Sequence, residues 1–185
     1  KKSRKKVVVI TGGGRGIGQE IVMEFLKKNY FFYTLDKKFS QSKNLVDYKK
    51  IKADMTKFNQ IKKILRKIGL SKGCIDVLVN CAGITQSLKK NNFIKYWETT
   101  IKNNLTSAFM ASMYALPYLK KSKYPSIINI TSITAKLGMS NNPAYNVSKA
   151  GLQNLGYSLA MDFRKHKIRV NNICPGYIKT KMTKK

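Results

Sequence analysis

Apolar runs recur along the chain with amphipathic stretches between them. "KVVVITG" (6–12) is a β-branched run ending in glycine and reads as a buried strand. In 19–30, Ile21, Met23, Glu24, Phe25 and Leu26 form a mostly helical pattern, and "FFYTLD" (31–36) is a second strand. Phe58, Ile61, Ile64, Leu65 and Ile68 recur at three- and four-residue steps, the stripe of an amphipathic helix over 55–70. "IDVLVNCAG" (75–83) is a third strand that closes on a glycine turn. Residues 96–119 predict one long helix, "SIINITS" (126–132) a strand, 144–165 a second long helix and "IRVNNICPG" (168–176) a last strand. Trp97, at helical spacing from Ile94 and Ile101, is expected in the core. Strand and helix alternate throughout. That order predicts an α/β fold: a doubly wound parallel sheet in three layers, with right-handed crossovers carrying helices to both faces. Without repeats or a linker, one domain over 1–185 is expected.

Composition narrows the class. A hydrophobic content of 43% over 185 residues supplies a sizeable core and excludes a disordered chain. No run of about 18 apolar residues predicts a membrane-spanning helix. The opening "KKSRKK" is followed by "VVVITGGG", too short and glycine-rich for a signal peptide. Three cysteines (Cys74, Cys81 and Cys174), without C-x-x-C, favour reduced thiols in the cytoplasm over a disulfide framework or a metal site. Cys81 and Cys174 are expected in small, buried packing roles. The net charge is +29, yet only five of the 37 basic residues are arginine, the preferred bidentate reader of phosphate. The lysines are scattered, so a solvated surface is expected, with weak polyanion binding at low salt and no specific nucleic acid.

Three stretches carry chemistry. "TGGGRGIG" joins the first strand to the first helix, with Gly12, Gly16 and Gly18 in a T-G-x-x-x-G-x-G pattern. Such glycines permit a tight turn, close backbone approach to a pyrophosphate and an anion at the helix N-terminus. Asp36 ends the second strand 18 residues after Gly18, where a carboxylate can accept a hydrogen bond from a ribose 2′-OH and repel a 2′-phosphate. NAD is therefore expected, with NADP as the alternative that Arg15, Lys37 and Lys38 favour. In "PAYNVSKAGL", Tyr145 and Lys149 stand four residues apart on one helical face.

The chain resembles the short-chain dehydrogenase/reductase family in its Rossmann-type form. The resemblance rests on "TGGGRGIG", Asp36, "AD" at Asp54, "NCAG" at 80–83, "NNL" with Asn104, and "ITS…AYNVSK…PGYIKT", with Ser132 thirteen residues before Tyr145. It implies that Tyr145 exchanges a proton with the substrate oxygen and that Ser132 polarises that oxygen. Lys149 would lower the tyrosine pKa and bind the nicotinamide ribose. Asn104 would position a water in a proton relay. It further implies cofactor contacts from Gly12, Arg15, Gly16, Ile17 and Gly18 at the pyrophosphate and adenosine ribose. Asp36 would meet the adenine ribose, Asp54 and Met55 the adenine, and Asn80, Ala82 and Gly83 the cofactor further along. Pro175, Gly176, Ile178 and Thr180 would sit by the nicotinamide. "NCAG" carries Cys81 where a second asparagine is common, and "TSITA" carries Ala135 where glycine is frequent.

The expected activity is NAD(P)-dependent interconversion of a secondary alcohol and a ketone. A 3-oxoacyl thioester on an acidic carrier protein is the alternative substrate, and a non-catalytic cofactor- or polyanion-binding protein the rival from another class. The family pattern continues beyond "GYIKTKMTKK" into a substrate lid, a helix and a last strand, so a fragment lacking these is expected. A dimer through the two long helices, or a tetramer, is expected of the full-length form.

Overall fold

The computed structural model describes residues 4–28, 30–39, 47–86 and 92–180. The elements run β1 (Lys6–Thr11), α1 (Gly16–Leu26), β2 (Tyr30–Asp36), β3 (Tyr48–Lys52), α2 (Phe58–Lys72), β4 (Val77–Asn80), α3 (Phe93–Ile101), α4 (Ser107–Leu119), β5 (Ser126–Ile130), α5 (Pro143–Phe163) and β6 (Arg169–Ile173). Six strands form one sheet in the order β3-β2-β1-β4-β5-β6, every pairing parallel. This is the doubly wound Rossmann arrangement. Its strand order reverses between β1 and β4, the place where such sheets open a crevice at the strands' carboxyl ends.

The period-two alternation of β1 sorts the core. Val7 and Val9 join a cluster with Leu35, Leu78 and Ile127, packed under Ile61 and Leu65 of α2, Ala111 and Ala115 of α4 and Leu159 of α5. Val8 and Ile10 point the other way, to Val22 of α1, Phe32, Val79 and Ile130. Strands covered on both faces read as continuous apolar runs, which is why "KVVVIT" looks uniform. Each such fully buried side chain contributes about 1.5–3 kcal/mol.

Several expectations need correction. β3, "YKKIK", has no apolar run: Tyr48 is buried, Ile51 half-buried, and Lys49 and Lys52 exposed. It is an edge strand that pairs only with β2, anchored by Tyr48 and Ile51 in the core, and edge strands carry lysines that discourage further pairing. The single long helix over 96–119 is two helices joined by a π-helical turn at Lys102–Thr106. Trp97 is exposed, not core. The buried row of α3 is Tyr96 and Thr100, continued by Asn104, and Trp97 lies about a quarter-turn away. Cys174 is exposed and Cys81 half-buried, whereas Cys74 is buried.

Two polar devices brace the sheet. Asn80 Nδ2 donates to Asn129 Oδ1 (2.9 Å), Asn129 Nδ2 to Asn172 Oδ1 (3.1 Å), and Asn172 Nδ2 to the Gln153 carbonyl (2.8 Å), tying β4, β5, β6 and α5 together. At the amino-terminal edge, Asp76 accepts from Arg4 Nη2 at both carboxylate oxygens (2.8 and 2.9 Å), from the Val7 amide (2.7 Å) and from the Ser122 hydroxyl (2.5 Å).

Candidate active site

The glycine loop leaves β1 at the switch point. Gly12 has φ +71°, and a Cβ there would stand 2.5 Å from Ala82 Cα. Only glycine lets the loop lie against the segment after β4 in this left-handed conformation. At Gly18 a Cβ would run into the Gly12 carbonyl, so α1 starts hard against the loop. Thr11 Oγ1 accepts from the Cys81 and Ala82 amides (both 3.2 Å), stitching the two crevice walls. This glycine cradle, opening on a helix N-terminus, fits a dinucleotide pyrophosphate. Ile17 and Gly16 line a groove of about 590 Å³ shared with Pro175, Ile178 and Thr180, which brings these glycine-loop and nicotinamide-side candidates together. The Ile133 amide donates to the Pro175 carbonyl (2.9 Å), holding that segment beside the candidate catalytic residues. Gly176 and Ile178 are exposed, as is Arg15.

Asp36 is buried at the end of β2. Its Oδ2 accepts from the Gly14 amide (3.0 Å) and its Oδ1 from the Lys38 amide (3.2 Å), which holds the carboxylate against the glycine loop. Asp54 pairs with Lys37 (3.1 Å) and accepts from Thr56 through both its amide and its hydroxyl. Burial pushes the Asp54 carboxyl up, but the Thr56 bonds and Lys37 outweigh it and leave it below its ordinary value. The Met55 side chain lies in the core cluster with Leu35 and Ile61. The Asn80 side chain turns into the polar ladder, where its Nδ2 also donates to Ser112 (3.1 Å).

The four candidate catalytic residues converge at the carboxyl ends of β4 and β5. Ser132 follows β5, and its hydroxyl lies near enough to the Tyr145 phenol to pull that phenol's pKa down. Ser132 Oγ also accepts from the Thr134 amide (3.2 Å) and hydroxyl (3.0 Å). A serine hydroxyl has two acceptor positions and one donor, so these contacts direct its proton toward Tyr145 and the crevice. Lys149 is buried one turn along α5 from Tyr145, its Nζ 2.8 Å from the Ile130 carbonyl and 5.8 Å from the Tyr145 ring centroid. Asn104 is wholly buried in the π-helical turn. It clamps Ile84 from both sides, accepting from its amide (2.8 Å) and donating to its carbonyl (2.9 Å), and also donates to Ser148 Oγ (3.0 Å). A Cβ on Gly83 would sit 3.4 Å from Asn104 Oδ1 and 3.6 Å from Lys149 Nζ, ordinary contact distances that place Gly83 beside both side chains.

The electrostatics run against one expectation. From the protein's own groups the Tyr145 phenol is raised, not lowered: burial pushes it up and the Ser132 hydroxyl recovers only part. Lys149 is not among the groups that pull it down, and burial depresses the lysine's own pKa to about 8. The Cys81 thiol, close enough to Tyr145 and Lys149 to interact with both, is pushed up to about 11 by burial, which keeps it protonated near neutrality. Thr134, Ser148, Ile84 and the Ile130 carbonyl escaped the sequence reading. Only the short Ser-x-Thr spacing of Ser132 and Thr134 carried a signal for any of them.

The model of the short-chain dehydrogenase family matches residues 6–185. A 3-oxoacyl-[acyl-carrier-protein] reductase of Buchnera aphidicola is 32% identical over 193 residues, which are 99% of this chain and 78% of that protein. Among solved structures, the ligand-free aldohexose dehydrogenase of Thermoplasma acidophilum superposes with a TM-score of 0.88 at 34% identity, over 97% of this chain and 69% of that one. ElxO, solved with NADP bound, does so with a TM-score of 0.88 at 32% identity, over 96% and 75%. The chain belongs to the short-chain dehydrogenase/reductase family, a family of oxidoreductases. No helix among the described residues is long and apolar enough to cross a membrane, and no cluster of metal-ligating side chains occurs among them.

Proposed function

We propose that this chain interconverts a secondary alcohol and a ketone with NAD(P), and that one domain carries both the cofactor and catalytic sites. The observation that carries the reading is the convergence of Ser132 and Tyr145, whose hydroxyls are near enough to shift the phenol, with buried Lys149 one turn away and buried Asn104. Tyr145 Oη gives a proton to the substrate oxygen in reduction and takes it back in oxidation. Ser132, its acceptor sites held by Thr134, donates to that same oxygen and stabilises developing charge. Lys149, anchored on the Ile130 carbonyl and with its pKa depressed to about 8 by burial, would bind the nicotinamide ribose. Asn104 fixes the segment at Ile84 that closes this corner.

Gly12, Gly16 and Gly18 would hold the cofactor pyrophosphate, with Arg15 and Ile17 beside it. Asp36 would take the adenine ribose and Asp54 and Met55 the adenine end. Asn80, Ala82 and Gly83 would line the middle, and Pro175, Gly176, Ile178 and Thr180 the nicotinamide end. When bound, the cofactor supplies the hydride and, in its oxidised form, a positive charge that favours phenolate. Asp36, held against the loop, favours NAD, while the likeness to NADP-bound ElxO keeps NADP in play. A panel of ketones and alcohols with both cofactors tests the reading; no turnover with any pair overturns it.

The likeness to the carrier-protein reductase supports a second reading, reduction of a 3-oxoacyl thioester on an acidic carrier, which the +29 charge would attract. Salt-sensitive reduction of the carrier-bound over the free thioester is the expected result, and indifference to the carrier rejects it. A groove between α4 and α5, lined by Leu105, Phe109, Gly151 and Leu155, supports a dimer through these helices.

A further inference from the structure

Helix α5 begins without the usual side-chain cap. Asn142 occupies the cap position, yet its own side chain bonds no amide of the first turn. Pro143 has no N–H to satisfy. The Ala144 amide is served instead from another helix: it donates to Tyr96 Oη of α3 (3.2 Å). That hydroxyl passes its own proton to Asn142 Oδ1 (3.3 Å), and Asn142 Nδ2 donates to Thr85 Oγ1 (3.1 Å). Thr85 follows Ile84, which Asn104 grips. Asn104 donates to Ser148 Oγ, and Ser148 donates to the Tyr145 carbonyl (2.7 Å). The contacts close a ring: Tyr96, Ala144–Tyr145, Ser148, Asn104, Ile84–Thr85, Asn142, and Tyr96 again. Tyr96, Asn142, Ala144, Asn104 and Ser148 are all buried. Buried bonds in a closed network hold geometry more firmly than exposed ones, because breaking any one strands a polar group.

We infer that Tyr96 is a positioning residue. Its hydroxyl caps α5 in trans and so sets where the Tyr145 phenol stands relative to Ser132, while the Asn142–Thr85 arm of the ring links this cap to the segment beyond Gly83. The inference rests on the reading of Tyr145 as the acid/base. Tyr96 suits this role in two ways. It lies on the buried row of α3, and its phenol is long enough to cross to the next helix.

Tyr96→Phe removes the hydroxyl and keeps the ring. Two measurements on the whole chain need no substrate: hydrogen exchange at the Ala144 amide, and NMR titration of the Tyr145 phenol, assigned by its loss in Tyr145→Phe. The expected result is exchange at Ala144 about fivefold faster, as for one lost hydrogen bond, with a displaced Tyr145 titration midpoint. In turnover, kcat should fall and its pH profile shift with the phenol, while cofactor affinity stays within about twofold. Unchanged exchange and an unchanged midpoint in the folded variant overturn the inference, as does a lower melting temperature with neither readout moved. If both readouts move but the wild-type chain turns over no carbonyl compound, the positioning stands and the reading of Tyr145 as acid/base falls. Should Tyr96→Phe not fold, Asn142→Ala removes the partner of the Tyr96 proton, and the same two readouts decide with smaller shifts in the same direction.

Discussion

Lys149 Nζ donates to the main-chain carbonyl of Ile130, the last residue of β5, at 2.8 Å. A buried ammonium is thus anchored to the sheet itself, on the strand that leads directly into Ser132. This anchor fixes the cation beside the Tyr145 ring, and the burial that makes it rigid also depresses its pKa to about 8.

The depressed pKa makes stability depend on pH in a definite direction. Between about 8 and 10.5 the unfolded chain binds the Lys149 proton and the folded chain does not, so stability rises with pH in that window. Relative to Lys149→Met, the wild-type unfolding free energy should climb by about 1.4 kcal/mol per pH unit across it. Urea titrations at several pH values measure the difference; a flat difference removes the depressed lysine.

Tyr145→Phe should lower kcat by about 10²-fold or more, the range for a lost general acid/base. Cofactor affinity, followed by fluorescence titration, should stay within about twofold of wild type. Undiminished turnover takes the proton away from Tyr145.

Asp36→Ala removes the carboxylate bonded to the Gly14 and Lys38 amides. The ratio of kcat/KM with NADH to that with NADPH should fall by about tenfold, the order of one charge-assisted hydrogen bond. A ratio unchanged from wild type leaves Asp36 as a loop brace alone.

Asp76→Asn tests the far end of the sheet. Burial pushes this carboxyl up, but Arg4, Ser122 and the Val7 amide hold it below its ordinary value. Its stabilisation is therefore present above about pH 4 and is lost as pH falls through the lower folded value. At pH 7 the variant should lose about 2 kcal/mol, less than for a fully buried pair because Arg4 is half-exposed. Equal stability of the two proteins at pH 7 rejects the clamp.

Of the six strands among the described residues, β1, β2 and β4 were legible through apolar runs that are largely buried, and β5 and β6 through the isoleucines and valine around their asparagines. β3 was not, because three of its five residues are lysines and only Tyr48 and Ile51 reach the core, too few apolar positions to form a run. Tyr145, Lys149, Ser132 and Asn104 were visible through their spacing. Their supports were hidden: Thr134, Ser148 and Tyr96 are common residue types whose partners lie across the fold. The raised Tyr145 phenol was hidden for the same reason, since a sequence shows a neighbouring lysine but not how deeply both are buried.

The π-helical turn at Lys102–Thr106 is also a phase adjuster. Its wider turn absorbs about one residue more than an α-turn. The row that points Tyr96, Thr100 and Asn104 inward is thereby offset from the row that lays Ala108, Ala111 and Ala115 onto the sheet. Straightening "KNNLT" into α-helical turns with every residue kept would swing one row about 100° from the other, so the helix could satisfy either the sheet or the crevice, but not both at once.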